Sequence, residues 1–303
     1  MFDIIGDIHG QATKLKSLLY KLGYKKTRSG FQHLKYKAIF VGDLIDRGPY
    51  QLETLTIVKE MVDNGNAYVV MGNHEFNAIG WKTNNEREAD TFLRKHNYAN
   101  HKQHKAFLMQ IGENSQQHLY WINWFKSLPL FLDFDKIRVI HACWDSNIIR
   151  LILPYLEHNN GLKEQYIQQA FNPSSALFNY CETLLKGKEV TLPDGISYHD
   201  KEGTQRHKSR IKWWLKQADT LNELCLIPDD EKLPALEQKV KLPLDGYQEQ
   251  KIVFFGHYWL TGKPSIQTNK VTCVDYSAAI ESGKLVAYRW EGEEILTNKH
   301  FIY

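Results

Sequence analysis

Residues 37–48 have the sequence KAIFVGDLIDRG, in which a short apolar run ends in glycine, two aspartates and an arginine. The apolar run predicts a buried strand, with Asp43, Asp46 and Arg47 placed at its carboxyl end. Open α/β sheets bind their ligands at that end of their strands. Two neighbouring aspartates are costly to bury as free anions, so the segment predicts a cation, and a metal ion is the first candidate.

Two other segments of the chain end in the same way. Residues 1–10 read MFDIIGDIHG and residues 67–75 read AYVVMGNHE, so each apolar run is followed by glycine and then by polar side chains. Later in the chain, apolar runs also precede His141 and His257. Carboxylate, amide and imidazole groups are therefore predicted at the carboxyl ends of five strands.

The segments between the first three strands have helical periodicity. Residues 11–22 and 51–62 carry apolar side chains at helical spacing, and each is followed by a turn that contains glycine. This alternation indicates parallel strands joined by right-handed crossovers in an α/β sheet. Further strands, which suit the far half of a two-layered sandwich, are predicted at 251–255, 271–274, 285–290 and 294–303.

Three motifs in order carry a resemblance to a known family. They are Gly-Asp-x-His-Gly at 6–10, Gly-Asp-x-x-Asp-Arg-Gly at 42–48 and Gly-Asn-His-Glu at 72–75. Their combination resembles the calcineurin-like metallophosphoesterases, and specifically the serine/threonine phosphatase-like branch, to which bacterial diadenosine tetraphosphatases are related. The resemblance implies an α/β fold with a two-layered central β-sandwich flanked by helices. It covers the site motifs and the strand order over about residues 1–144 and 251–290, but not residues 86–127.

The remaining segments are predicted to be insertions into one domain that covers residues 1–303. Helix-rich insertions are expected at about 86–127 and 145–250, where the composition changes and strand signals are weak. The resemblance does not reach these segments. Because loops and insertions on a rigid scaffold carry recognition, substrate choice is expected to lie there.

Composition limits the partners of the chain. The 303 residues contain 38 Lys and Arg against 35 Asp and Glu, which argues against nucleic acid or an anionic membrane as the main partner. Four scattered cysteines indicate reduced, buried thiols rather than a disulfide framework. No signal peptide and no apolar run long enough to cross a bilayer is found, so a cytoplasmic enzyme is expected.

The donor atoms of the site suit particular metals. Oxygen and imidazole ligands without thiolate favour manganese, iron(II) or zinc, and manganese is the first expectation. Taken singly, each residue is more often a helix cap, a turn residue or an ordinary histidine. By the resemblance, Asp7 and His9 bind the first of two divalent ions, Asp43 bridges both ions, and Asn73, His141 and His257 complete the second. His33, His96, His101, His104 and His118 are interpreted as ordinary polar residues.

The resemblance also implies catalytic roles. A hydroxide shared by the two metals attacks phosphorus, His74 protonates the leaving oxygen, and Asp46 orients His74. The alternative for Asp46 is a cap on the following helix. Arg47 is suited to bidentate capture of phosphate oxygens.

A second phosphate-binding arginine is expected from the resembled branch, but its motif is not matched. Arg206 and Arg210, in a basic run that ends in two tryptophans, are the candidates. The alternative interpretation of this run is the solvated face of an amphipathic helix that packs through its tryptophans.

The predicted function is hydrolysis of phosphomonoesters, with a phosphoprotein or a small phosphoester as substrate. The alternative is hydrolysis of diadenosine tetraphosphate or similar dinucleotides; enzymes of that kind tend to lack the equivalent of Asp46, and its presence favours phosphomonoesters. A polynucleotide end phosphatase is disfavoured by the balanced charge. A non-catalytic binding module is expected to have lost ligands or the acid, and none is missing from this sequence.

Overall fold

A computed structural model describes residues 1–199, 205–227, 244 and 246–303 of the chain. The chain divides into a larger unit, Met1–Lys186 with Lys251–Tyr303, and a smaller unit, Gly187–Gln250. In the described part of the chain, no helix has the length and apolar character needed to cross a bilayer. All four cysteines are buried and none forms a disulfide, as the sequence predicts.

Most strands are short. In chain order, those of the described residues are β1 (Phe2–Ile5), β2 (Lys25–Thr27), β3 (Gly30–Gln32), β4 (Lys37–Phe40), β5 (Ala67–Val69), β6 (Phe131–Asp133), β7 (Ile137–Ile140), β8 (Glu189–Thr191), β9 (Tyr198–His199), β10 (Gln205–Arg206), β11 (Lys208–Arg210), β12 (Ile252–Phe255), β13 (Val271–Cys273), β14 (Asp275–Tyr276), β15 (Lys284–Leu285), β16 (Ala287–Trp290) and β17 (Phe301–Ile302).

Helices alternate with many of the strands along the chain. The α-helices of the described residues are α1 (Ala12–Lys21), α2 (Gln51–Asp63), α3 (Asn73–Lys82), α4 (Tyr98–Ile111), α5 (Gln116–Lys126), α6 (Ser146–Ile152), α7 (Ile167–Ala170), α8 (Ala176–Lys186) and α9 (Leu221–Leu224). Short 3-10 helices lie at Leu153–Tyr155, Glu164–Tyr166 and Asn298–His300.

Two sheets form the centre of the larger unit. The first has the order β17-β16-β1-β4-β5, in which β1, β4 and β5 are parallel, and the second has the order β13-β12-β7-β6, in which β13, β12 and β7 are parallel. Side chains of both sheets, among them Ile4, Ile39, Val139 and Phe254, belong to one apolar core. This is the predicted two-layered α/β sandwich, and burial of each such side chain stabilises it by about 1.5–3 kcal/mol.

The carboxyl-terminal strands differ from the prediction, because they divide between the two sheets. Strands β12 and β13 join the second sheet, whereas β16 pairs antiparallel with β1 and β17 pairs with β16. Tyr288 and Trp290 of β16 turn into the shared core, which explains why this strand belongs beside β1. The strand predicted at 294–303 is limited to β17, preceded by a 3-10 helix.

The segment 145–250 is helix-rich only in its first part. Helices α6 to α8 lie before Gly187, but β8 to β11 and the single turn of α9 follow in the described residues of the smaller unit. The basic run also forms strand rather than the predicted alternative of an amphipathic helix. Ser209 is buried between the more exposed Lys208 and Arg210, and this alternation fits β11, which pairs with β8. Residues 200–204, 228–243 and 245 lie outside the described residues.

Candidate active site

Residues from the carboxyl ends of β1, β4, β5, β7 and β12 meet at one edge of the sandwich. Backbone hydrogen bonds tie these ends together: the N–H of His9 donates to the carbonyl of Asp43 at 2.9 Å, and that of Gly256 donates to the carbonyl of His141 at 2.8 Å. The six side chains that the sequence singled out as ligands are all buried, none being more than 6% exposed: Asp7, His9, Asp43, Asn73, His141 and His257.

Two groups of side chains could each hold a metal ion, and Asp43 belongs to both. In one group, ligand atoms of His9, Asp43 and His74 lie within 4.8 Å of one another; in the other, those of Asp43, His141 and His257 do. Nε2 of His9 is 3.6 Å from Oδ2 of Asp43, and Nε2 of His141 is 3.4 Å from Oδ1. The two oxygens of one carboxylate therefore face two different sets of imidazoles.

Asn73 lies beside the second group. Its Oδ1 is 3.1 Å from Nε2 of His141, and that nitrogen is 3.2 Å from Nδ1 of His257. Amide oxygen, carboxylate oxygen and two imidazole nitrogens thus converge on one small volume. Such a mixed oxygen and nitrogen set fits a borderline transition metal.

The imidazole tautomers also fit metal binding. Nδ1–H of His9 donates to the carbonyl of Ile45 at 2.8 Å, and Nδ1–H of His141 donates to the carbonyl of Val41 at 2.7 Å. Each ring therefore directs Nε2 at the site, as ligand histidines usually do. Nε2 of His9 is buried and has no hydrogen-bond partner among the described residues. Burial, Arg47 and His74 lower the pKa of His9 to about 3. The ring is therefore neutral at neutral pH and can offer the lone pair of Nε2 to a metal.

Asp7, which the resemblance places with His9 on the first ion, is not in either group of three, and its carboxylate lies against the backbone of His257. The backbone N–H of His257 donates to Oδ1 and Oδ2 of Asp7 at 3.2 and 3.0 Å. Burial, then the charges of Asp275 and Asp43, raise the pKa of Asp7 well above its usual value. A carboxylate in this position is destabilised as an anion unless a cation balances it, which fits the proposed metal site.

Asp43 itself is stabilised as an anion. Burial would raise its pKa, but His141 and His74 outweigh that effect and lower the pKa of Asp43 well below its usual value. Burial in turn acts to lower the pKa of His141, and the carboxylate of Asp43 raises it above its usual value. The shared carboxylate is thus available as a ligand at neutral pH.

Left-handed backbone is concentrated at the site. The φ angles of His9, Asp43, Asp46, Arg47 and His257 are 47°, 51°, 69°, 65° and 67°. Non-glycine residues in this region cost roughly 1–3 kcal/mol each and persist only where the surroundings enforce them. The strained positions therefore coincide with the edge of the sandwich where the candidate ligands meet.

Three side chains that the sequence analysis did not assign hold the backbone at and beside these residues. Glu75 accepts the N–H groups of Gly72, Asp43 and Leu44 at 2.9, 2.9 and 2.8 Å. Gln51 accepts the N–H of Asp46 at 2.7 Å and donates to the carbonyls of Asp46 and Gly48 at 3.1 and 2.7 Å.

Asp275, the third of these side chains, accepts the N–H of Trp259 at 2.7 Å and that of Ser277 at 2.9 Å. Glu75 stands in the quoted Gly-Asn-His-Glu motif, so a sequence signal for it was present. Gln51 and Asp275 are recognisable only from their contacts.

Glycines precede the site residues because the backbones pass too close for a side chain. A Cβ on Gly256 would lie 2.1 Å from Oδ1 of Asp7, and one on Gly72 would lie 2.2 Å from the backbone nitrogen of Asp43. Both distances are far below van der Waals contact. These glycines therefore allow the strand ends to converge.

We expect Gly256→Ala to destabilise the fold by about 1–3 kcal/mol, as overpacking usually does, and to reduce metal binding through the displaced Asp7 carboxylate. Denaturant unfolding and bound-metal analysis measure the two effects. Gly161→Ala is the control, since its new methyl group would meet a side-chain oxygen of Asn159 at 3.0 Å. Normal metal content in Gly256→Ala would contradict this account of the glycine.

His74 and Asp46 form a buried pair beside the shared carboxylate. Nδ1 of His74 is 2.6 Å from Oδ2 of Asp46, and Nε2 of His74 is 3.8 Å from Oδ2 of Asp43. The alternative role of Asp46 as a helix cap is wrong, because α2 begins after Tyr50 without a side-chain cap. Asp46 is instead engaged by imidazoles.

His104 is the second imidazole on Asp46 and was interpreted from the sequence as an ordinary polar residue. Its Nδ1 lies 2.8 Å from Oδ1 of Asp46, and its side chain is buried. The sequence did contain a signal that His104 is buried, because its spacing places it on one face of α4 with Phe107, Leu108 and Ile111.

The three proposed phosphate-binding arginines are found in different settings. Arg47 is half-buried, and its guanidinium carbon lies 5.2 Å from the centre of the Trp259 ring. Arg206 ends β10 and is exposed, and Arg210 ends β11 and is half-buried. Arg206 and Arg210 belong to the smaller unit.

Comparisons with known proteins identify relatives of the chain. A family model described as calcineurin-like phosphoesterase matches residues 1–258. An asymmetrical bis(5'-nucleosyl)-tetraphosphatase from Halalkalibacterium halodurans is 34% identical over 148 residues, 46% of this chain and 56% of that protein, so the chain spans about half of its length. A symmetrical bis(5'-nucleosyl)-tetraphosphatase from Vibrio parahaemolyticus is 26% identical over 312 residues, 97% of each chain. A protein serine/threonine phosphatase structure from Saccharomyces cerevisiae is 16% identical, with a TM-score of 0.46 over 99% of this chain and 78% of its own.

Proposed function

The chain belongs to the calcineurin-like phosphoesterases, and from that premise we propose that it hydrolyses dinucleoside polyphosphates at a dinuclear metal centre. The observation that carries the proposal is the carboxylate of Asp43, which is shared by two clusters of ligand atoms. Two divalent ions, most simply manganese, would supply there a hydroxide nucleophile and positive charge for the phosphoryl oxygens. The residues proposed to hold them are Asp7, His9, Asp43, Asn73, His141 and His257.

The chain's own groups then provide binding and proton transfer. Nδ1–H of His74 donates to Asp46, so the imidazolium form of His74 keeps Nε2–H as the group that can give a proton to a leaving oxygen. Arg47 carries fixed donors and is proposed to bind phosphate oxygens. The Trp259 ring beside it and the left-handed backbone at Arg47 limit where its guanidinium can point.

The names of two relatives support dinucleoside polyphosphates as substrates. One of them, the Vibrio parahaemolyticus protein, aligns over 97% of both chains. The proposal therefore reverses the preference drawn from the sequence, which placed phosphomonoesters first. Phosphomonoesters remain the second candidate because the 2.6 Å contact between His74 and Asp46 supports a proton donor, and an alkoxide leaving group needs one most.

The domain organisation, a second phosphate-binding arginine, the metal and the location are also parts of the proposed function. Residues 1–303 are proposed to form one phosphoesterase domain, and Arg206 and Arg210 are proposed as the candidates for a second phosphate-binding arginine. Manganese is proposed as the metal and the cytoplasm as the location. A phosphoprotein is not proposed as the substrate.

The proposed function is tested by measuring kcat/KM for diadenosine tetraphosphate, phosphoserine and an aryl phosphate, with added Mn²⁺ and with chelator. We expect metal-dependent turnover and the highest kcat/KM for the dinucleotide. Product analysis then distinguishes two ADP from ATP plus AMP. Full turnover in the presence of chelator would overturn the proposal. So would a kcat/KM for phosphoserine that is orders of magnitude higher than that for the dinucleotide.

Asp46→Asn is expected to lower the ratio of kcat/KM for phosphoserine to kcat/KM for diadenosine tetraphosphate. Without the carboxylate, His74 loses its orientation and its charged partner, so kcat/KM for phosphoserine should fall by about 10²-fold or more. The nucleotide phosphate of diadenosine tetraphosphate is a better leaving group, so kcat/KM for that substrate should fall less. The ratio of the two kcat/KM values cancels errors in active-enzyme concentration. Asp63→Asn, at the exposed end of α2, is the control, and an unchanged ratio in Asp46→Asn would remove Asp46 from proton transfer.

A further inference from the structure

We propose that His104 is a positioning residue for proton transfer: it holds the Asp46 carboxylate in the orientation that directs His74 at the leaving oxygen. The three residues form a chain, His104–Asp46–His74, in which only His74 touches the substrate. The inference rests on the proposed function in one respect, that His74 is the proton donor.

The geometry assigns one imidazole to each oxygen of Asp46. Nδ1 of His104 lies 2.8 Å from Oδ1, and Nδ1 of His74 lies 2.6 Å from Oδ2. An ionised carboxylate can only accept, so both Nδ1 atoms carry the hydrogen. Nδ1–H of His74 is thereby held on Asp46, and the proton to be transferred is the Nε2–H of the imidazolium form, on the nitrogen that faces Asp43 at the edge of the metal site. His104 prevents the carboxylate from rotating, because rotation would break both hydrogen bonds.

Burial makes these contacts strong. Asp46, His74 and His104 are each 2% exposed, so bulk water does not compete for their hydrogen bonds. Burial acts to raise the pKa of Asp46, but His104 is the largest of the opposing influences, and the net effect is a pKa well below the usual value. His104 therefore helps to keep Asp46 charged as the partner of His74.

The ring of His104 is itself held in place. It lies 4.9 Å from the Phe107 ring in a stacked arrangement and 5.8 Å from the Trp81 ring. Gln51 fixes the backbone of Asp46 on both sides, through its N–H and its carbonyl. Both ends of the His104–Asp46 contact are thus rigid, which is what positioning of a third group requires.

A purely structural role is the competing explanation, since His104 also anchors α4 to the loop that follows β4. Two substitutions separate the explanations. His104→Leu fills the site with an apolar side chain and removes the donor. His104→Asn keeps a donor, because its side-chain amide nitrogen stands near the position of Nδ1. His101→Leu, at an exposed position three residues earlier in α4, is the control.

The kinetic experiment uses a series of phosphomonoesters whose leaving groups have different pKa values, with manganese-loaded protein. For His104→Leu we expect kcat to fall by roughly 10- to 100-fold for the poorest leaving group, as for other residues that orient a functional side chain, and much less for the best. KM should change little. His104→Asn should recover most of the loss. Equal losses over the whole series, or the same loss in His104→Asn, would indicate a structural role and overturn the proposal.

A second measurement does not depend on turnover. In ¹⁵N-histidine-labelled protein loaded with diamagnetic Zn²⁺, the Nδ1–H resonance of His74 is assigned by its absence in His74→Asn. We expect His104→Leu to speed its exchange with solvent and His104→Asn to restore its protection. An unchanged resonance in His104→Leu would overturn the proposal. If the wild type hydrolyses none of the phosphoesters, the proposed function fails, and this measurement still decides whether His104 positions His74.

Discussion

Asp43→Asn is expected to lower kcat for an aryl phosphate by about 10³-fold or more, because charge stabilisation by a metal pair is worth several kcal/mol. Asp43 is the residue that both ligand clusters share. Asparagine offers one acceptor oxygen and no charge, so neither cluster would keep its full set of donors. Bound metal, measured by mass spectrometry after desalting, should fall together with kcat.

The control for this change is Asp133→Asn. Asp133 is a partly exposed carboxylate that pairs with Lys251 at 2.6 Å and lies on β6. Loss of an exposed ion pair costs at most about 1 kcal/mol, so metal content and kcat should be unchanged. Normal metal content and normal kcat in Asp43→Asn would contradict a shared carboxylate.

His74→Asn is expected to lower kcat by about 10²–10⁴-fold for a poor leaving group such as the serine alkoxide of phosphoserine. The reason is that Nε2 of His74 is the proposed proton donor and asparagine cannot replace it. For an aryl phosphate or a dinucleotide, kcat should fall less because their leaving groups need less protonation. The comparison is made at equal metal loading.

Metal content separates two roles for His74, which also lies in a cluster with His9 and Asp43. A proton donor can be removed without loss of metal, whereas removal of a ligand lowers the bound metal. We therefore expect wild-type metal content in His74→Asn. His101→Asn, on the exposed side of α4, is the control. Uniform losses on all substrates together with lost metal would identify His74 as a ligand instead.

The strand ends at the site were predictable because each combines an apolar run with a glycine and a polar ligand. The runs before Asp43 and Asn73 became β4 and β5, parallel neighbours in one sheet. Their side chains meet because parallel strands end at the same edge. The glycines carried a second signal, since Gly72 permits a backbone approach that no other residue would allow.

What the sequence could not reveal depends on contacts between distant residues. His104 lies 58 positions from Asp46 along the chain, and only the packing of α4 against the site brings them together. The strands around Arg206 and Arg210 were missed because two- and three-residue strands have little periodicity of their own and are formed by pairing with β9 and β8. The placement of β16 beside β1 likewise follows from core packing by Tyr288 rather than from chain order.

The central claim is a pair of metal ions that share Asp43, and anomalous diffraction from crystals of manganese-loaded protein tests it most directly. We expect two anomalous peaks about 3.5–4 Å apart, one on each side of the Asp43 carboxylate. One peak should lie within coordination distance of His9 and the other of His141 and His257. A single ion, or two ions that do not both contact Asp43, would contradict the account.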